Sequence, residues 1–258
     1  SSSPRTSTPS SPGDVRVIAD VSLAAVVAVA LGLLVGAIVQ SVVGLGLGLV
    51  AAPVTALVAP ELMPGLMIAL AMVLPCLTLA VEREEIHWRG LAWSLPPRIL
   101  GTTIGVWVVA SFSDRSLGVA VGVMVLLAVA LTWRAVRVPI NRATLMTAGL
   151  VSGVTGTATS IGGPPMALLY QHRPARQIRT TLAVYFLIGA ALSLVGLAVS
   201  GELTGQQVSL AAVLLPVVLA GALAGVRLRR GLRPDVVRTA VLAVCAVSAL
   251  ALLVRSLL

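Results

Sequence analysis

Lysine is absent from this chain of 258 residues and carboxylates are scarce: nine Asp and Glu stand against 18 basic residues, all arginine. There are two cysteines, two histidines and 3 % aromatic residues. Each shortage excludes something. Cys76 and Cys245 both sit inside apolar runs, so neither a disulfide framework nor a cysteine metal site is supported. His87 and His172 do not stand at metal-ligand spacing from carboxylates or cysteines. No Ser-His-Asp set is apparent, and the glycine clusters follow no strand, as a dinucleotide fingerprint would require. An enzyme is therefore not expected, nor a cofactor. The nine carboxylates fall in loops or at segment ends, with Asp20 alone inside an apolar segment and near its edge. Proton pumps and many cation carriers hold Asp or Glu inside the bundle. Cation transport through a buried carboxylate is disfavoured, and any coupling ion, proton or sodium, must use carbonyls, hydroxyls or the substrate's own proton.

What is present is apolar. The hydrophobic fraction is 58 %, with a mean hydropathy of +1.04, against ~45 to 50 % for soluble domains. An all-α polytopic membrane protein is expected, with room for about eight to ten spanning or half-spanning helices at ~20 residues each. A net charge of +9 in a soluble protein would suggest nucleic acid. Here the arginines lie in short loops between apolar runs, where they set topology, and no nucleic-acid partner is expected.

In chain order, residues 1–16 are rich in Ser, Thr and Pro and read as a disordered tail. Residues 17–39 form an apolar run too long for a signal-peptide core and read as a retained helix. Further segments follow at 49–59, 62–81, 91–111 and 116–133, then 143–159, 164–170, 178–200, 207–226 and 236–257. Each half, 17–138 and 139–258, thus holds about five segments. The second of each is too short to cross ~30 Å of hydrocarbon.

The halves share a plan. Gly32 and Gly36 recur as Gly149 and Gly153 at a spacing of 117, and Pro96, Gly101 and Gly105 recur as Pro216, Gly221 and Gly225 at 120. Ordered coincidences of this kind suggest a repeat, although G-x-x-x-G is also plain helix-packing chemistry. Arginines at 134, 137 and 142, at 173, 176 and 179, and from 227 to 238 mark three cytoplasmic loops, and Arg83 with Arg89 a fourth. The segments between the central linker and the Arg173 loop must then leave and return to one side, as a re-entrant hairpin. Three crossings remain per half, so the repeats should be inverted. Both termini would lie outside, with Trp88, Trp93 and Trp133 near the cytoplasmic interface.

Two glycine-rich breaks interrupt the short segments: Gly44-Leu-Gly-Leu-Gly48, and Ser160-Ile-Gly-Gly-Pro-Pro-Met-Ala-Leu-Leu-Tyr170. Such breaks survive at membrane depth only inside protein or beside water. Inverted repeats would bring both to mid-membrane. Helices starting near Gly48 and at Pro164 would aim N-H groups and positive dipole ends into one cavity, an anion site. The candidate lining is Gln40, Ser41, Gly44, Gly46 and Gly48 from the first break, and Thr159, Ser160, Gly162, Gly163, Pro164, Pro165 and Tyr170 from the second. Thr155 and Thr157 are further hydroxyl candidates. These hydroxyls could instead bond back to their own helix carbonyls. Arg98, nine residues past Arg89, is either a counter-charge for the anion or a side chain snorkelling to the interface.

The Ile161-Gly-Gly-Pro-Pro165 run leading to Tyr170 resembles the TauE/SafE family, the sulfite and organosulfonate exporter-like membrane proteins. So do Thr181 through Tyr185-Phe186, Gly201, Pro216 and Gly221-x-x-x-Gly225. Gly32-x-x-x-Gly36, the Gly44 to Gly48 cluster and Pro53 look like the matching motif in the first half, where Leu47 interrupts the usual run of glycines. The resemblance implies a secondary transporter of small sulfur oxyanions, such as sulfite or sulfoacetate, in a bacterial inner (plasma) membrane. The partners expected are the anion and the lipid bilayer, with a homodimer left open. A carrier for another small organic acid and a non-transporting membrane scaffold are the alternatives.

Overall fold

Residues 22–43, 46–134, 138–228 and 234–257 are described by a computed structural model. The N-terminal tail, Gly44 and the arginines at 137, 229, 230 and 233 lie outside them. In the first half the helices are α1 (Leu23–Val43), α2 (Leu47–Val58), α3 (Gly65–Ala71), α4 (Val73–Val81), α5 (Trp88–Ser111) and α6 (Asp114–Arg134). The second half contributes α7 (Arg142–Thr159), α8 (Gly163–Tyr170), α9 (Ala175–Ser200), α10 (Gly205–Leu228) and α11 (Pro234–Leu257). No strand occurs among the described residues. Each apolar run is a helix with ends moved by a few residues, except that 62–81 divides at Met72 into α3 and α4.

Local chemistry sets several of these ends. Asn141 and Thr144 form a reciprocal capping box that opens α7, satisfying two of the donors a helix start leaves free. Gly201, at φ 81°, closes α9 in the left-handed conformation that glycine adopts without penalty. Three helices, at Leu23–Val42, Ala175–Ser200 and Gly205–Leu228, are long and apolar enough to cross a membrane. At ~1.5 Å per residue, α2 spans only about 18 Å and α8 about 12 Å. Large apolar side chains such as Ile99, Ile104, Trp107, Val195 and Val199 are exposed, which in this composition is the lipid-facing surface.

Among the described residues the buried side chains gather in four clusters, of which two are comparable in make-up. One packs Leu33, Leu47, Leu66 and Leu214, from α1, α2, α3 and α10. The other packs Leu145, Met166, Tyr185 and Leu91, from α7, α8, α9 and α5. Of the short helices, α2 packs mainly on α1 and α11, and α8 mainly on α7 with smaller contacts on α6 and α9. Glycines permit the closest of these contacts: Gly101 and Gly105 face the Leu150 and Val154 carbonyls, while Gly221 and Gly225 face those of Leu34 and Ile38. Contact positions rise together in both pairs, so α5 runs parallel to α7 and α10 parallel to α1. The partners are 116 apart (150 − 34 and 154 − 38), one residue short of the spacing that matches Gly32 with Gly149. Accordingly Gly32 and Gly36 lie against α2, at Val54 and Leu47, whereas Gly149 and Gly153 lie against α5, at the Ser94 and Arg98 carbonyls.

The two ends of the molecule carry different bonds. At one, Glu82 takes a bidentate pair from Arg179 and Glu84 pairs with Arg176. There Arg142 also stacks over Trp93 at 4.7 Å, and the Tyr170 hydroxyl lies 2.8 Å from His87 Nδ1. The α7–α8 pair therefore leaves and returns to this end, as the arginine placement suggests. At the other end Gln207 Nε2 donates to the Glu61 carbonyl at 3.0 Å, and Arg115 Nε to the Ser256 carbonyl at 2.6 Å. The start of α1 and the end of α11 both lie there.

Candidate functional site

At the first break the Leu47 N-H, first of α2, donates to Gln40 Oε1 at 3.0 Å, so a side chain from the end of α1 caps the helix that follows. Gly46 stands at φ 156°, and a Cβ there would run into Val39. At the second break Ser160 takes a left-handed conformation, φ 62°, costly for a residue with a Cβ. Its hydroxyl donates to the Pro64 carbonyl at 3.1 Å, tying the break to the start of α3. The Ser152 hydroxyl donates to the Gly162 carbonyl. The breaks touch: a Cβ built on Gly48 would lie 2.6 Å from the Ser160 carbonyl oxygen. Only glycine lets two backbones meet this closely.

A cavity of about 80 Å³ lies at this junction. Gln40, Gly46 and Gly48 line it from the first break; Ser160, Gly162, Gly163 and Pro164 line it from the second. Arg98 reaches it from α5. Among the described residues no carboxylate lines it.

Arg98 is the dominant charge. It is 3 % exposed, so it does not snorkel. Its Nη1 donates to Ser152 Oγ at 3.0 Å, and its guanidinium carbon sits 4.3 Å from the centre of the Tyr185 ring. Gly189 of α9 makes the room, since a Cβ there would overlap the guanidinium. The Nε has no hydrogen-bond partner, and no carboxylate among the described residues forms an ion pair with Arg98. A buried charge without a counter-charge is unfavourable by several kcal/mol, on the order of the desolvation penalty. The cation therefore attracts whatever anion can enter.

Of the candidates named from sequence, the structure brings Gln40, Gly46, Gly48, Arg98, Ser160, Gly162, Gly163 and Pro164 to one cavity. Four others lie elsewhere. Ser41 packs by its Cβ against Gly225. Thr159 bonds back to the Thr155 carbonyl at 2.7 Å. Pro165 is not in the lining. Tyr170, seven residues beyond Gly163 and about 10 Å along the helix, is engaged by His87. Gly44 lies outside the described residues. Thr157 shares a hydrogen bond with Ser193 at 2.7 Å, and the Thr155 hydroxyl is buried without a partner.

The donor supply of α8 is also poorer than a helix N-terminus ordinarily offers. Pro164 and Pro165 occupy its first turn and have no N-H to give. Only Gly163 has an N-H among the first three positions. Sequence reasoning missed a whole wall: Ile68, Ala71 and Pro75 from α3 and α4, and Phe186, Ala190 and Ser193 from α9. Both sets follow helical spacing, three then four residues in the first and four then three in the second, which is the signal that one face is shared.

The chain matches the family described as Sulfite exporter TauE/SafE over residues 28–252, from within α1 almost to the end of α11. No curated protein and no solved structure matches it. A match across most of the helical region, together with an all-helical apolar fold, settles the class: the chain belongs to the TauE/SafE sulfite exporter family of membrane transporters.

Proposed function

We propose that this protein is a secondary transporter that carries small sulfur oxyanions, sulfite or short organosulfonates, through the cavity between its two helix breaks. The observation that carries the reading is Arg98, a buried guanidinium that lines the cavity, lacks a carboxylate partner and keeps a free Nε. An incoming anion supplies the missing charge, and the Gln40 amide NH2 and the Gly163 N-H offer neutral donors around it, the Ser160 hydroxyl proton being spent on the Pro64 carbonyl. Transport by alternating access of two inverted repeats is supported by the like contacts of α5 on α7 and α10 on α1. The arginine-bearing end is the cytoplasmic one by the positive-inside rule, in a bacterial inner membrane.

Purified protein in proteoliposomes should accumulate labelled sulfite or a C2 sulfonate, and imposed proton or sodium gradients should identify any coupling ion. Absence of both flux and binding for every sulfur oxyanion would refute the proposal. For orientation, single cysteines at Glu84 and Glu202, with Cys76 and Cys245 replaced, should label from opposite faces of the membrane. Labelling from one face would reject the topology.

A further inference from the structure

The cavity is asymmetric in chemistry. Its positive charge comes from one side chain, Arg98, since no other arginine, lysine or histidine lines it among the described residues. Pro164 and Pro165 withhold two backbone donors at the second break, and at the first the Leu47 N-H is already taken by Gln40. One unit of positive charge and a handful of donors balance one negative charge, not two. The α3–α4 contribution is Ile68, Ala71 and Pro75, a wall with no polar side chain, and Phe186 and Ala190 extend it from α9. A second anionic group against that wall would be desolvated without a partner. A short hydrocarbon segment there gains instead from leaving water.

Size narrows the occupant further. About 80 Å³ corresponds to roughly five to eight water-sized spheres at ~10 to 15 Å³ each. That is the scale of a sulfonate head with one or two carbons attached.

Resting on the anion-site reading, we propose that the cavity selects singly charged sulfur oxyanions bearing a short apolar tail, the C1 and C2 alkanesulfonates. Dianions such as sulfoacetate or sulfate are rejected, and of the two forms of sulfite present near neutral pH the singly charged hydrogensulfite is the one admitted. The head sits at Arg98 and the junction of the breaks, and the tail lies on Phe186 and the α3–α4 wall. The single cation sets the charge, and the apolar wall sets the preference for carbon over a second polar group.

The test is equilibrium binding to the full-length wild-type protein in lipid nanodiscs, with methanesulfonate, ethanesulfonate, sulfoacetate and sulfate as probes and sulfite as reference. Ethanesulfonate should bind about fourfold tighter than methanesulfonate, the gain expected for one buried methylene. Sulfoacetate and sulfate should bind at least about tenfold more weakly than ethanesulfonate. Sulfoacetate binding as tightly as ethanesulfonate, with sulfite also bound, would overturn the selection and leave the anion site standing. Binding of no probe, sulfite included, would overturn the anion site itself. In Phe186→Ala the ratio between ethanesulfonate and methanesulfonate should shrink toward one; an unchanged ratio removes Phe186 from the tail contact.

Discussion

Replacing Arg98 by glutamine separates two effects that the buried guanidinium combines. Glutamine keeps a polar amide near the Nε position but removes the charge and the bond that Nη1 now makes to Ser152 at 3.0 Å. A hydrogen bond to a charged group contributes about 1.5 to 3 kcal/mol, so losing the one made to the anion should weaken binding roughly 10- to 140-fold. The ligand-free protein should respond in the opposite sense. Its uncompensated charge is gone, and burying that charge costs several kcal/mol, roughly, so its melting temperature should hold or rise. The two signs can be read in one assay, thermal unfolding in nanodiscs with and without sulfite. At a sulfite concentration 100 times the wild-type Kd, the ligand stabilises the native protein by about 2.7 kcal/mol. With a Kd a hundredfold weaker, the same concentration stabilises Arg98→Gln by about 0.4 kcal/mol. A folded variant with an unchanged sulfite-induced shift would show that the anion does not meet Arg98.

The other predictions concern the surroundings of that charge and the arginine-bearing end. Gly189→Ala places a Cβ on the guanidinium and should lower sulfite affinity tenfold or more, roughly as an overpacked site does. Combined with Arg98→Gln it should add little, and full additivity in a double-mutant cycle would disprove the steric link. Gly48→Ala pushes the breaks apart because its neighbour at 2.6 Å is backbone, so flux should be lost with about 1 to 3 kcal/mol of stability. Gly205→Ala, where no atom lies within 4 Å, should leave both unchanged and serves as the control; equal losses in the two variants would refute the contact. Burial, then the Arg173 and Arg89 charges, hold the His87 imidazole below its usual pKa of 6.5, which fits a neutral ring bonded to the Tyr170 hydroxyl. The folded form disfavours the proton, so this contribution to stability is complete above pH 6.5 and is lost as the pH falls through the lower folded-state value. His87→Gln should flatten that part of a stability-versus-pH curve, and an unchanged curve would clear His87.

Helix positions and the hairpin were legible because two simple signals govern them. Apolar run length marks each helix, and arginine placement forces α7 and α8 to share an end. Gly32 and Gly149 look alike in sequence but serve different neighbours, α2 and α5. Arg98 could be flagged but not placed, since its burial depends on Gly189, 91 residues away in the chain (189 − 98). The α3–α4 and α9 walls were missed because nothing separates a cavity-facing Ile68 or Phe186 from one facing lipid until the helices are packed. Tyr170 belonged to a conspicuous run, yet the length of α8 carries it out of reach of the break.

The contact between Gly48 and the Ser160 carbonyl is backbone against backbone, with the Ile161 side chain as the next neighbour. The halves are also joined at the two ends of the molecule, and these are chemically unequal. One is fastened by ion pairs, Arg179 with Glu82 and Arg176 with Glu84, which salt screens. The other is fastened by the amide of Gln207 on the Glu61 and Met63 carbonyls, which salt leaves largely untouched. Ionic strength on the arginine-bearing side therefore weakens the fastening at that end and leaves the Gln207 fastening at the other largely intact.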